Sequence, residues 1–96
     1  MTKDTFTDKL IEELCVLAEK TIRSYIFSKF SISDILYFNI TVDAHLLDDG
    51  QLTFDVNVEL TLHPKFSQND VEAVINEAVE KCFKELDKRM SNVEFM

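Results

Sequence analysis

Glycine and proline are almost absent from this chain of 96 residues, which has one of each, Gly50 and Pro64. A phosphate-binding loop needs several glycines at set spacings, so the sequence excludes that type of nucleotide site. The chain also lacks internal repeats and linkers rich in glycine or serine, and its length suits a single hydrophobic core. We therefore predict one domain, residues 1–96, with a frayed tail at residues 91–96.

Cysteine is scarce too. Cys15 and Cys82 lie far apart, with no Cys-x-x-Cys or Cys-x-x-His spacing. This excludes a disulfide framework and a zinc motif and is typical of a reducing compartment. We predict two buried free thiols at similar heights on the inward faces of antiparallel helices, where they could touch.

Basic residues are also few, with 10 Lys and Arg against 18 Asp and Glu. The chain therefore has a net charge of −8 and a pI near 4.6. Nucleic acids and anionic membranes bind clusters of Lys and Arg, so we expect neither as a partner. No signal-peptide pattern is present, and no apolar stretch approaches the roughly 20 residues that cross a bilayer. We predict a cytoplasmic protein that suits a basic partner or a cation.

Two segments have apolar residues at helical spacing, residues 7 to about 28 and residues 67 to about 90. Thr7 can cap the first helix, and Ser67 with Asp70 has the spacing of a capping box at the start of the second. The inward residues of the two predicted helices are Leu10, Ile11, Leu14, Cys15, Leu17, Ala18, Ile22, Tyr25 and Ile26, then Val71, Val74, Ile75, Ala78, Val79, Cys82, Phe83, Leu86 and Met90.

Between these helices the period of the apolar residues changes to two, which is typical of strands. A two-residue loop, 49–50, would pair Leu46 with Thr53 and mix the apolar and polar faces. A three-residue loop, 48–50, pairs Leu46 with Leu52 and keeps one face apolar. The prediction is an α+β fold of order α-β-β-α, in which both helices pack on one face of a long antiparallel hairpin.

The predicted hairpin is acidic, because no Lys or Arg occurs between Phe30 and Pro64. In the predicted register Asp43 lies opposite Asp55, a like-charge pair that destabilises the hairpin unless solvent, a cation or a basic partner relieves it. A solvated face, a basic protein surface and a divalent cation all fit this pattern, although a hard cation needs more converging oxygens. The candidate partner-binding residues are Asp43, Asp55, Asn57, Glu59, Asp48 and Asp49.

The hairpin also leaves two long unpaired strand edges, which favour a homodimer with a four-stranded sheet or a strand added by a partner. His45 and His63 lie at opposite ends of the hairpin, about 30 Å apart, so they cannot share a metal within one chain. The one metal geometry left open is His63 beside Asp34 or beside its symmetry mate in a dimer. We predict no catalytic residue, no metal ligand and no cofactor.

The second strand alternates polar and apolar residues from Asp55 to Leu62 and stops at His63 and Pro64. An acidic helix follows, with Ala78, Glu80 and Phe83. Together with residues 34–43, these segments resemble a small archaeal family of unknown function whose members are often encoded beside the prefoldin beta subunit. The resemblance spans nearly the whole chain. It implies an archaeal cytosolic protein linked to protein folding or translation, and it implies no active site.

These features favour a small acidic interaction protein that binds a basic protein partner through the polar face or the edge of its hairpin. The alternative is a protein that binds a small ligand or a divalent metal, with its site between the helices or across a dimer. Tyr25 and Tyr37 are the polar groups available to such a site. An enzyme is not expected, because the paired acids of the helices lie on solvated faces and not in a water-poor cleft.

Overall fold

The computed structural model describes residues 7–94, with side chains for residues 7–91. Helix α1 (Asp8–Lys29) is followed by a short 3-10 turn (Ile32–Asp34), strands β1 (Ile35–Leu46) and β2 (Leu52–Leu62), and helix α2 (Gln68–Glu94). The predicted α-β-β-α order and the α+β class are confirmed.

Both helices begin where their capping residues predict. The Thr7 hydroxyl accepts a hydrogen bond of 3.1 Å from the backbone N–H of Leu10, and the Ser67 hydroxyl accepts one of the same length from Asp70. Each bond satisfies a backbone donor that a helix start would otherwise leave unpaired. Helix α2 continues through residues 91–94, where no glycine or proline interrupts it, and the frayed tail stays a prediction. Residues 95–96 lie outside the described part of the chain.

The two strands pair antiparallel in the predicted register. Leu46 lies opposite Leu52, and Asp43 lies opposite Asp55. The backbone N–H of Gly50 donates to the Leu47 carbonyl at 2.9 Å, and the N–H of Leu47 donates to the Gln51 carbonyl at 2.7 Å. This leaves the predicted three-residue loop, in which Gly50 has a φ of 89°, a left-handed conformation that glycine adopts without strain.

The core lies between the two helices and the apolar face of the hairpin. The helices run antiparallel, since Glu13 lies 3.6 Å from Arg89 near one end and the Phe30 ring packs against Phe66 at the other. Along β2 the apolar residues are half-buried or buried and the residues between them are exposed, so the helices cover one face of the hairpin. The buried residues are Leu14, Ala18, Ile22, Ile26, Phe30, Leu62, Val71, Ala78, Cys82 and Leu86.

A β-bulge that the sequence analysis missed lies near the start of β1. Ile35 lies opposite Leu62 and Tyr37 lies opposite Thr61, so β1 has one residue more than β2 in this interval. Ile35 and Phe38 both pack against the core. The two residues between them, Leu36 and Tyr37, are therefore placed on the outside.

Candidate partner-binding face

The hairpin face turned away from the helices is here called the open face. Alternation from Tyr37 onward in β1 and throughout β2 places ten side chains on it, and all ten are exposed. They are Tyr37, Asn39, Thr41, Asp43, His45, Thr53, Asp55, Asn57, Glu59 and Thr61. The open face therefore contains two aspartates and one glutamate but neither lysine nor arginine.

The predicted pair of Asp43 and Asp55 lies on this face next to the last residue pair before the hairpin tip, but the two carboxylates have different surroundings. Asp55 Oδ2 lies 3.0 Å from His45 Nε2, while the Asp55 side chain remains 80% exposed. Asp43 makes no ion pair or side-chain hydrogen bond within residues 7–91. The negative charge of Asp43 is thus less compensated by neighbouring groups than that of Asp55. Alternation predicted that His45 lies on this face, but it did not predict the contact of His45 with Asp55, which is diagonal to it across the strands.

The other candidate residues divide into two groups. Glu59 lies on the open face, where Asn39 Nδ2 donates to its Oε1 at 3.4 Å, and Asn57 lies between Glu59 and Asp55 on the same strand. Asp48 and Asp49 lie instead in the loop at the tip of the hairpin, where Asp49 Oδ1 accepts a hydrogen bond of 3.0 Å from the Gln51 N–H. The structure therefore brings together Asp43, Asp55, Asn57 and Glu59, and Asp49 has a local structural contact.

The second histidine lies at the far end of the hairpin, beside Asp34 as the metal hypothesis required. The contact is between backbones, however, since the His63 N–H donates to the Asp34 carbonyl at 2.9 Å. Lys65 Nζ lies 3.1 Å from the Asp34 carboxylate and neutralises it. Among residues 7–91 no three His, Cys, Asp or Glu side chains are grouped so that they could hold a metal ion.

Both cysteines are free, and the prediction that they lie at similar heights is wrong. Cys15 of α1 is two residues from Glu13, which pairs with Arg89 of α2. Cys82 of α2 is next to Lys81, whose Nζ lies 5.7 Å from the Tyr25 ring of α1. Cys82 is therefore closer in height to Tyr25 than to Cys15. At about 1.5 Å per helical residue, this places the thiols about 10 Å apart along the helix axis. Burial raises the pKa of Cys82 to about 11. The pKa of Cys15 is also raised, by burial first and then by the charges of Asp43 and Glu12.

On the side opposite the hairpin, an open groove of about 630 Å³ lies between the helices. Three lysines line it, here called the groove lysines, Lys20, Lys81 and Lys84. Within residues 7–91 none of them lies within ion-pair distance of a carboxylate, whereas Arg23, Lys88 and Arg89 each do. Tyr25, predicted as a polar group of an interhelical site, also lines this groove, but Tyr37 lies on the open face.

Exposed apolar side chains flank the acidic part of the open face at its end nearest the bulge. Leu36 is 61% exposed and Tyr37 is 53% exposed, and Ile32 in the preceding 3-10 turn is 78% exposed. The sequence carried a signal for this feature, because residues 35–38 are four consecutive apolar residues, which strict alternation cannot accommodate.

Comparison with known proteins places this chain in a family. A family described as "Protein of unknown function (DUF3194)" matches residues 4–89. The chain belongs to this family. Membership of the DUF3194 family confirms the resemblance to a small family of unknown function. The two similar proteins described next come from archaea.

One relative of this chain is "Uncharacterized protein TK0644" of Thermococcus kodakarensis. It is 30% identical over 88 residues, which cover 91% of this chain and 78% of that protein. The solution structure of the hypothetical protein mth677 from Methanothermobacter thermautotrophicus superposes with a TM-score of 0.76. It shares 23% identity, with 96% of this chain and 97% of that chain covered, and it supports the fold alone. Within residues 7–94 no helix is both long and apolar enough to cross a membrane.

Proposed function

We propose that this protein is a small, acidic, non-enzymatic interaction protein that binds a basic protein partner through the open face of its hairpin. The observation that supports the proposal most is the grouping of Asp43, Asp55 and Glu59 on one exposed face without lysine or arginine. Asn57 lies among them and can donate and accept hydrogen bonds. A basic surface is the complement of this arrangement in charge and in hydrogen bonding.

The facing carboxylates give such a partner an energetic reason to bind. Asp43 and Asp55 repel each other across the strands, and lysine or arginine side chains of a partner would replace that repulsion with attraction. The net charge of −8 also accelerates encounter with a basic protein at low ionic strength. Affinity that depends on exposed charges must fall as salt screens them.

We also propose that the protein is a cytoplasmic homodimer joined through the strand edges. Within residues 7–94 the sheet has two strands, so each strand has one edge without a paired neighbour. Edge pairing would leave the open face available to a partner. Light scattering on a size-exclusion column should then give about twice the chain mass of 11.1 kDa, and a mass equal to one chain would exclude the dimer. The family resemblance favours folding or translation machinery as the setting.

The test compares two variants of equal charge change in affinity capture from native extract, at about 50 mM and about 500 mM NaCl. Asp43→Asn/Asp55→Asn/Glu59→Gln removes three acids from the open face. The matched control removes three acids from α2 and is Glu77→Gln/Glu80→Gln/Asp87→Asn.

A basic protein should be captured by the wild type and by the control at low salt, and lost from the open-face variant and at high salt. The captured protein, once identified and purified, should bind the wild type directly with the same dependence. Equal capture by both variants, or capture unchanged by salt, would contradict the proposal.

The second candidate function is the binding of a small anionic ligand in the interhelical groove. It is favoured by the groove lysines, which have no carboxylate partner within residues 7–91 although the chain has an excess of acids. One carboxylate, Glu85, also lines the groove. Lysine is a common phosphate-binding residue, and the Ser24 hydroxyl, which has no hydrogen-bond partner within residues 7–91, lies in the same groove. The site would thus suit a phosphorylated small molecule.

Inorganic pyrophosphate, titrated by NMR into labelled protein, tests this second candidate. Changing all three groove lysines to glutamine should weaken binding at least tenfold. The equally charged control Lys9→Gln/Lys65→Gln/Lys88→Gln should bind as the wild type does. NMR chemical-shift changes that do not occur at the groove residues would contradict this second candidate function. Changes that persist when the three groove lysines are replaced would contradict it as well.

A further inference from the structure

The bulge changes what the open face can recognise, because it adds the exposed apolar side chain of Leu36 beside Tyr37 at one end of that face. Tyr37 follows the same alternation as Asn39, Thr41 and Asp43, so it lies on the open face. Leu36 is the extra residue of the bulge and is exposed beside it. Bulges of this kind re-aim side chains and are frequent near functional sites. Leu36 and Tyr37 are here called the bulge patch.

The exposure of the bulge patch is not explained by the fold. Half of the Tyr37 surface and more than half of the Leu36 surface remain in water, although Ile35 and Phe38 on either side pack against the core. Ile32, which precedes them in the chain, has the largest exposed fraction among the bulky apolar residues of the described part. Apolar patches with a polar rim are typical of protein-binding sites, and tyrosine is enriched among the residues that contribute most to binding.

From these observations we infer that the partner of the open face is a basic segment that also carries an apolar or aromatic side chain at one end. That side chain would pack on Leu36 and Tyr37 while lysines or arginines lie over Asp43, Asp55 and Glu59. This inference rests on the proposed function and specifies the chemistry of the partner. Tyr37 and Asp43 are six positions apart along β1, a distance of about 20 Å, so an extended segment of about seven residues would cover both features.

Charge complementarity decides between a partner and a second copy of this chain on the open face. Two open faces brought together would place acids against acids, because each lacks lysine and arginine. Like charges in contact across an interface are strongly unfavourable. A homodimer through the strand edges avoids this contact, and the open face then remains free for the basic segment.

Two synthetic peptides test the inference by NMR titration. The first alternates lysine and threonine over about seven residues, and the second has the same sequence with a tryptophan added at each end. The protein is used as wild type, as Leu36→Ser/Tyr37→Ser, as Tyr37→Ser alone, and as the open-face charge variant Asp43→Asn/Asp55→Asn/Glu59→Gln. Val16→Ser is the control, since Val16 is an apolar residue of α1 that is 52% exposed. Thermal unfolding checks beforehand that each variant is folded.

The tryptophan peptide should bind the wild type and Val16→Ser at least tenfold more tightly than the lysine-threonine peptide. Both bulge-patch variants should lose this gain and still bind the lysine-threonine peptide as the wild type does. Equal affinity of the two peptides for the wild type, or a gain that survives in the bulge-patch variants, would overturn the inference alone. If the charge variant binds both peptides as tightly as the wild type, the proposed function itself is wrong.

Discussion

Replacing Asp43 by asparagine is expected to stabilise the folded protein, because it removes one of two carboxylates that face each other across the hairpin. Opposed side chains of an antiparallel pair are about 5 Å apart, and two unit charges at that distance repel by about 0.8 kcal/mol in water. Screening at about 0.1 M salt, with a Debye length of about 10 Å, reduces this to about 0.5 kcal/mol, and at about 1 M salt to about 0.2 kcal/mol.

The side-chain contacts predict that the two members of the pair will not respond equally. Asp55 lies 3.0 Å from His45 Nε2, so Asp55→Asn loses that contact as well as the repulsion. Asp43 has no such partner within residues 7–91. We therefore expect the gain in the free energy of unfolding to be larger for Asp43→Asn than for Asp55→Asn.

Urea unfolding at the two salt concentrations measures these differences, and a gain of about 0.5 kcal/mol corresponds to a rise of about 2–4 °C in Tm for a domain of this size. Glu80→Gln on α2 is the control, because it also removes one negative charge but does not touch the pair, and it should change stability little. No gain in Asp43→Asn at low salt, or a gain that is the same at high salt, would refute the electrostatic account of the open face.

Three further predictions concern the core, the thiol buried in it and the turn. Leu86→Ala should lower the free energy of unfolding by about 2–5 kcal/mol, because Leu86 is fully buried and its loss leaves a cavity; Leu47→Ala, at a residue 43% exposed, should cost much less. Because burial raises the pKa of Cys82 from 9.0 to about 11, its contribution to stability is complete below pH 9 and is lost as the pH rises to about 11. In that window the unfolded chain ionises first, so urea unfolding should show a loss of about 1.4 kcal/mol per pH unit that is missing from Cys82→Ala. Gly50→Ala should cost about 1–2 kcal/mol through its positive φ, with no steric clash, and Gly50→Asn should cost less; equal losses would contradict a purely conformational cause.

Much of the candidate face could be predicted because its geometry is local. Alternation assigned Asp43, Asp55, Asn57 and Glu59 to one face, and the one phase that keeps the apolar residues together placed the two aspartates opposite each other. The contact of His45 with Asp55 could not be predicted in this way. It depends on which rotamer a side chain adopts toward a diagonal neighbour, and alternation carries no information on rotamers.

The sequence by itself determined the order of the elements, the hairpin register and the loop at Gly50. A slip of one residue would turn every apolar side chain of a strand to the solvent, so the pattern admits a single pairing. Only the tertiary structure decided three other features, namely the bulge at Leu36, the axial offset of Cys15 from Cys82, and the groove that gathers the lysines of both helices. The offset and the groove depend on how far one helix is shifted along the other when their side chains interlock. The bulge depends on Ile35 and Phe38 both packing against the core, and that core is formed by segments distant in sequence.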